Sequence, residues 1–294
     1  MKIEKITVYR TNLIPNSGQE EYVFTESSFD PEAGLVLQET RYTPDGQVEE
    51  VSKREYDQKG NLTLLVVTDG HGSPLEKRTF EQNPKGHTAR EFIHYADNSA
   101  DRVENTHDEN GHLIKRELFD DSDDLETIEV FEYQGDNLIR ESELDADGNL
   151  LKERLMNYSE KGLLMQERVV DNESDLKLKK VFSYNSIGKV EEVMTFDDQG
   201  KALERATYSY DEKGLPFKIT EETRTHKNTT TIGYNSKGDV ILEEEIDFNG
   251  QLVRKIDREI DGNGLLTFTK ILTRNPAYGL TISYLLRNEY SIKS

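Results

Sequence analysis

The chain has 294 residues, 34% of them hydrophobic and 32% charged, with a mean hydropathy of -0.79 and a formal net charge of -21. An apolar content well below the usual ~45–50% excludes a deep two-layer core, while 14 Tyr, 11 Phe and regularly placed aliphatic residues exclude a disordered chain. The absence of cysteine excludes disulfides, thiol catalysis and thiolate zinc sites, and the acidic balance opposes nucleic acid and anionic membrane surfaces.

Residues 1–28 open with the alternating segment KITVYR and read as N-terminal capping strands. The stretch MKIEKITVYRTNLIP lacks the apolar run of a signal peptide, and nowhere does the sequence hold the roughly 18 apolar residues of a membrane span, so a cytoplasmic location is expected. From residue 29 to residue 270 a short phrase recurs: an apolar or aromatic residue, three mostly polar residues, Gly, any residue, then a small or apolar one. It starts at Tyr42, Tyr56, His107, Leu144, Tyr158, Tyr184, Phe196, Tyr210, Tyr234, Ile246 and Ile260, with degenerate copies near Phe29, Phe80 and Tyr133. Clusters without the glycine fill most gaps: DNSAD at 97–101, DSDD at 121–124, DNESD at 171–175 and HKN at 226–228.

Sorted by spacing, the turns fall into two interleaved phases. Each phase recurs about every 26 residues, so a reversal comes about every 13 and leaves about eight residues for each extended segment. Asp or Asn after the aromatic can hold its own backbone, and Gly three residues later takes the positive φ that closes the loop. The first and last residues of the phrase then face each other across the loop. Tyr56 pairs with Leu62 around Gly60, Tyr158 with Leu164 around Gly162, Tyr184 with Val190 around Gly188, and Tyr234 with Val240 around Gly238; Tyr210 opens the same turn around Gly214. Counting back by two reaches Phe131, Met156, Phe182, Tyr208 and Ile232, a second apolar row on the tyrosine face. Farther along, that face becomes charged (Lys152, Arg154, Lys180, Glu204), and the opposite face is expected to mix Leu155, Val181 and Ile241 with Glu153, Lys179 and Glu243.

The predicted architecture is all-β: a long antiparallel meander of about 18 strands from two-strand repeats, forming a single-layer, strongly coiled or partly wrapped sheet. No window shows a capped helical pattern. Residues 271–294 lack the phrase and read as a C-terminal capping strand.

The phrase YDQKGNL at Tyr56 and YDEKGLP at Tyr210, with YNSKGDV and YNSIGKV as variants, resembles the YD repeats of Rhs-type proteins, which include bacterial polymorphic-toxin shells. The resemblance implies a spiralling β-sheet that encloses a toxin. This array is short for such a shell and lacks a toxin-like extension, and NPAYGL at 275–280 carries Asn275 where the family's self-cleaving pattern has Asp. A stand-alone relative of the repeats, reused for binding, is the expectation.

Motifs for chemistry are sparse. Five of the six histidines (His71, His87, His94, His107 and His112) lie close together in sequence, with His226 apart. His87 and His112, one repeat apart, would sit about 9.6 Å from each other, too far to share a zinc ion. DADGN at 145–149 and EIDGNG at 259–264 lack the full calcium-loop pattern, and no nucleophile elbow or phosphate loop occurs. The expectation is therefore a non-enzymatic protein with no cofactor, no metal and no catalytic residues. A protein partner is expected, in the most concrete version a basic toxin domain bound by an immunity protein or chaperone. The alternative is a carbohydrate-binding or cell-envelope module that uses the tyrosine face.

Overall fold

A computed structural model describes residues 2–13, 20–275 and 280–293, and the turn at Tyr56 shows how the repeat shapes the chain. Asp57 N donates to Asn61 O (2.9 Å) and Gly60 N to Asp57 O (3.0 Å), while Asp57 Oδ1 accepts from Lys59 N (2.8 Å) and Asn61 N (2.9 Å). Gly60 has φ 86°. This is a type I turn followed by a left-handed residue, the three-residue hairpin loop whose bulge follows the glycine. Two of the clusters without glycine make the same turn with Asn98 (φ 72°) or Asp123 (φ 68°) in the left-handed position, which Asn and Asp tolerate best after Gly. The turn at 171–175 also has a left-handed residue, Asp175 (φ 52°), but Asp171 Oδ1 there accepts from Glu173 N (3.0 Å) and Ser174 N (3.1 Å). The cluster around HKN closes more tightly, with Thr223 N donating to His226 O at 2.8 Å.

The turns delimit β1 (Lys2–Asn12), β2 (Glu21–Phe29), β3 (Val36–Tyr42), β4 (Val48–Tyr56), β5 (Leu62–Asp69), β6 (Pro74–Gln82), β7 (Thr88–His94), β8 (Ala100–His107), β9 (Leu113–Phe119), β10 (Leu125–Gln134) and β11 (Asn137–Asp145). They continue with β12 (Leu150–Tyr158), β13 (Leu164–Asp171), β14 (Leu176–Tyr184), β15 (Val190–Phe196), β16 (Ala202–Tyr210), β17 (Pro216–Thr223), β18 (Lys227–Tyr234), β19 (Val240–Ile246), β20 (Leu252–Ile260), β21 (Leu266–Asn275) and β22 (Leu280–Lys293). One compact unit comprises Met1–Lys5, Thr25–Leu178 and Ser291–Ser294; the other comprises Ile6–Phe24 and Lys179–Tyr290. Within each, strands pair antiparallel with their sequence neighbours, as β4 with β5 and β16 with β17.

Two expectations are corrected. The sheet has 22 strands rather than about 18: β3–β21 make 19 along the repeat region, and β1 and β2, largely before it, and β22 after it add three. The meander also closes, instead of remaining an open or partly wrapped sheet: β1 pairs with both β2 and β22. Closure removes the unpaired edges that a long open sheet would leave. Residues 276–279 of the NPAYGL segment lie outside the described residues.

The bulge after each turn sets which face a residue occupies. Tyr234 faces Val240, but Gly233 faces Leu242, so Ile241 is the extra residue. The alternation therefore shifts by one, and Glu243 lies on the tyrosine face opposite Ile232 and Ile256, not on the other face as simple alternation predicts. Only Val103, Met156 and Ile256 are buried apolar side chains among the described residues, so both faces of the sheet remain largely wet.

Candidate functional site

The tyrosine row is a seam between repeats. Tyr56, Tyr158, Tyr184 and Tyr234 face Leu62, Leu164, Val190 and Val240, and Tyr210 faces Pro216. Gly60, Gly162, Gly188, Gly214 and Gly238 all take the left-handed conformation. The hydroxyl of Tyr56 donates to Val36 O (2.9 Å), that of Tyr158 to Leu138 O (3.0 Å), that of Tyr210 to Val190 O (2.6 Å) and that of Tyr234 to Pro216 O (2.6 Å). Val36, Leu138, Val190 and Pro216 each close the preceding turn of the same phase. Where the aromatic is replaced, Gln82 Nε2 makes the equivalent bond to Leu62 O (3.0 Å). Burial pushes the phenols of Tyr210 and Tyr234 above their ordinary range.

Beyond the seam the tyrosine face carries cross-strand ion pairs. Arg78 reaches Glu76 (2.5 Å), two residues back on β6, and Glu91 (2.7 Å) on β7. On β12, Arg154 lies between Glu141 (3.3 Å) of β11 and Glu167 (3.1 Å) of β13, and Glu167 is only 8% exposed. The opposite face has its own ladder, in which Arg140 pairs with Glu153 (2.8 Å) and Glu132 (3.0 Å), and Arg90 with Glu104 (3.2 Å) and Glu81 (3.3 Å).

The ladder of the tyrosine face is interrupted at β16. Four residues before the residue that opens the turn stand Arg78, Arg154 and Lys180 in three repeats, the buried Val103 and Ile256 in two others, and Ser52, Glu129 and Thr230 in three more. In β16 the position is Ala206. It faces Val193 on one side and Glu221 on the other, and Glu204 next along the same face lies between Thr195 and Thr223. A cavity of about 550 Å³ opens here, with Phe182, Val193, Ala206 and Tyr208 as its apolar lining, Glu204, Glu221 and Glu222 as its carboxylates, and Lys180, Arg205 and His226 at its margin.

Six residues before the opening residue, a carboxylate recurs in four repeats, and three have partners. Glu50 pairs with Arg41 (3.3 Å), Glu76 with Arg78, and Asp101 accepts from the Tyr95 hydroxyl. Glu204 has no ion pair among the described residues, and neither does Glu221. Neighbouring cations are engaged elsewhere or displaced: Arg205 pairs with Glu192 on the opposite face, Lys227 pairs with Glu222 (3.3 Å), and Lys180 sits at the cavity's β14 side, two strands from Glu204, about 9.6 Å at the backbone.

Three of the six histidines, His87, His107 and His112, stand along one turn edge. In several repeats the residue after a turn glycine leans over the glycine of the next repeat: Leu35 over Gly60, Asn61 over Gly86 and His87 over Gly111. His87 thereby packs on His107 with ring centroids 4.9 Å apart, and His112 stacks on Tyr133 at 4.6 Å while pairing with Asp108 (3.0 Å). The Nδ1 atoms of His87 and His107 are shielded from solvent without a hydrogen-bond partner. Burial, reinforced by the neighbouring His87, holds His107 below the ordinary imidazole range. Spacing arguments compared His87 with His112 and missed the pair with His107, because His107 occupies the opening position normally held by an aromatic residue. No group of three or more metal-ligating side chains occurs among the described residues.

No family model and no curated protein sequence matches the chain. Similar solved structures include a porin-like protein from Bacteroides uniformis (11% identity, 98% of both chains, TM-score 0.36) and a TcdB2–TccC3 complex (12% identity, 88% of this chain and 19% of that one, TM-score 0.25). The Photorhabdus luminescens Tc holotoxin pore matches at 13% identity, again over 88% of this chain, with a TM-score of 0.25. The chain spans about a fifth of the length of those toxin chains. The fold itself is a repeat β-structure of antiparallel strands.

Proposed function

We propose that this is a non-enzymatic binding protein that presents an acidic repeat sheet to a basic protein partner, and that its phrase places it with the YD repeats of Rhs-type proteins as a short array. The supporting observation is the distribution of charge. Arg78, Arg90, Arg140 and Arg154 are each held between two carboxylates, so the cations are largely engaged within the sheet while the excess of 58 acidic over 37 basic residues faces solvent. Such a field accelerates encounter with a basic protein and opposes nucleic acid. Basic toxin domains, nucleases among them, have the matching charge, which makes an immunity protein or chaperone of such a toxin the most concrete form of the reading.

Among the described residues, ion pairs on both faces interrupt any apolar band of the kind a lipid-facing β-barrel carries, which favours an aqueous compartment such as the cytoplasm. The tyrosine row gives little support to a sugar-stacking role, since its hydroxyls bond the backbone of the preceding turns.

Capture from native lysate tests the proposal. A basic protein should be retained at an ionic strength of about 0.05 M and released near about 0.5 M, as screening removes the attraction. A deletion strain should lose resistance to the corresponding toxin. Recovery of no basic partner, together with unchanged resistance, would contradict the reading.

A further inference from the structure

The interruption at Ala206 has the chemistry of an ion-pair ladder lacking its arginine, and we infer that the cavity beside it receives a guanidinium group from outside the chain. The inference deepens the reading of a protein that binds basic partners and rests on it. The template is in the same molecule. On β6, Arg78 stands four residues before the opening residue Gln82, Glu76 six before, and a second carboxylate, Glu91, comes from the following strand. On β16, Glu204 keeps the place of Glu76 and Glu221 comes from the following strand, while the arginine position is Ala206.

Glu204 and Glu221 are diagonal neighbours on one face of adjacent antiparallel strands, about 7–8 Å apart at the backbone. That separation suits a planar fork donating to one carboxylate on each side, as Arg154 does between Glu141 and Glu167. The cavity of about 550 Å³ exceeds the space of one arginine side chain, and Phe182 and Tyr208 in its lining offer aromatic surface to the face of the guanidinium and to its aliphatic stem. Thr195, 6% exposed, lies in register between Glu204 and Lys180, which reaches the cavity from the β14 side and makes no ion pair with either carboxylate. An arginine offers two parallel donors where lysine offers a point charge, so the site takes an arginine side chain of a partner in preference to a lysine.

The full chain, carrying labelled Ala and Val methyl groups, is titrated with N-acetyl-arginine N-methylamide and with its citrulline counterpart. The expected result is a saturable shift of the Ala206 and Val193 methyl resonances with the arginine compound and none with citrulline. Glu204→Gln combined with Glu221→Gln, which keep size and shape, should weaken binding about tenfold or more. Ala206→Arg should supply the missing group in place and abolish the shifts at Val193. Equal responses to arginine and citrulline, or binding that survives both glutamine substitutions, would overturn the inference. If the arginine compound fails to bind while basic proteins are still captured in a salt-sensitive way, the inference falls and the broader reading stands. If the compound binds and no protein is captured, the inference stands and the broader reading falls.

Discussion

The strands β11–β13 and β15–β17 are built from the same phrase, opened by Tyr158 and Tyr210 with hydroxyls bonded to the preceding turn, yet their middles differ. In the first, Arg154 fills the space between two carboxylates and beside the buried Met156; in the second, Ala206 leaves a hollow and two carboxylates with no ion pair among the described residues. The seam sets the backbone, and the rows beyond it vary without disturbing the register. A repeat of this kind can thus hold its fold constant while its face is specialised strand by strand.

The largest effect that sharpens this contrast is expected at the turn edge, where the β8–β9 turn is tightly filled and the β14–β15 turn is not. Gly111 has φ 94°, and a β-carbon there would lie 2.6 Å from His87 Cε1; Gly188 has φ 77° with nothing nearby. Gly188→Ala should cost about 1–2 kcal/mol for its left-handed backbone alone, and Gly111→Ala about 1 kcal/mol more, in urea unfolding. Equal losses would show that the stacked edge contributes nothing.

Removing the cation from the filled ladder comes next. Arg154→Ala leaves the buried Glu167 without its partner and should cost about 1–3 kcal/mol. Arg205→Ala removes a half-exposed pair with Glu192 and should cost less than about 1 kcal/mol. Similar losses would mean that the two regions do not differ in how they use their arginines. The seam, by contrast, should behave alike in both: Tyr158→Phe and Tyr210→Phe each remove one hydroxyl bond and should each cost about 1 kcal/mol by thermal or urea unfolding.

The smallest expected difference is in pH response, and it belongs to the histidine-bearing edge. His107 binds a proton less readily folded than unfolded, so its contribution is harmless at high pH and becomes destabilising as pH falls through the unfolded value near ~6.5. The loss is complete once pH is below the lowered folded value. His107→Gln should flatten the decline of Tm between about pH 7 and pH 5, a window above that in which the turn carboxylates Asp57, Asp145 and Asp261, held below their ordinary range mainly by hydrogen bonds, are protonated. An unchanged slope would place the acid response elsewhere.

Turn chemistry is local, which is why so much of the fold is legible in the residues. Asp57 and Gly60 specify a reversal by their own backbone preferences, and the pairing of Tyr56 with Leu62 follows from loop length. The face of Glu243 is not legible by alternation, because the bulge at Ile241 inserts one residue into the count. Closure is not legible either, since the pairing of β1 with β22 joins segments from opposite ends of the chain that lack the phrase. The hollow at Ala206 becomes visible only when repeats are compared position by position, with Arg78, Arg154 and Lys180 at the same step; one small residue among many gives no signal by itself.

The urea-unfolding midpoint of the Ala206→Arg variant tests most directly whether β16 is an arginine ladder with its arginine removed. The account predicts a rise of about 0.5–2 kcal/mol in stability as the new side chain joins Glu204 and Glu221. A midpoint at or below that of the unsubstituted protein would contradict it.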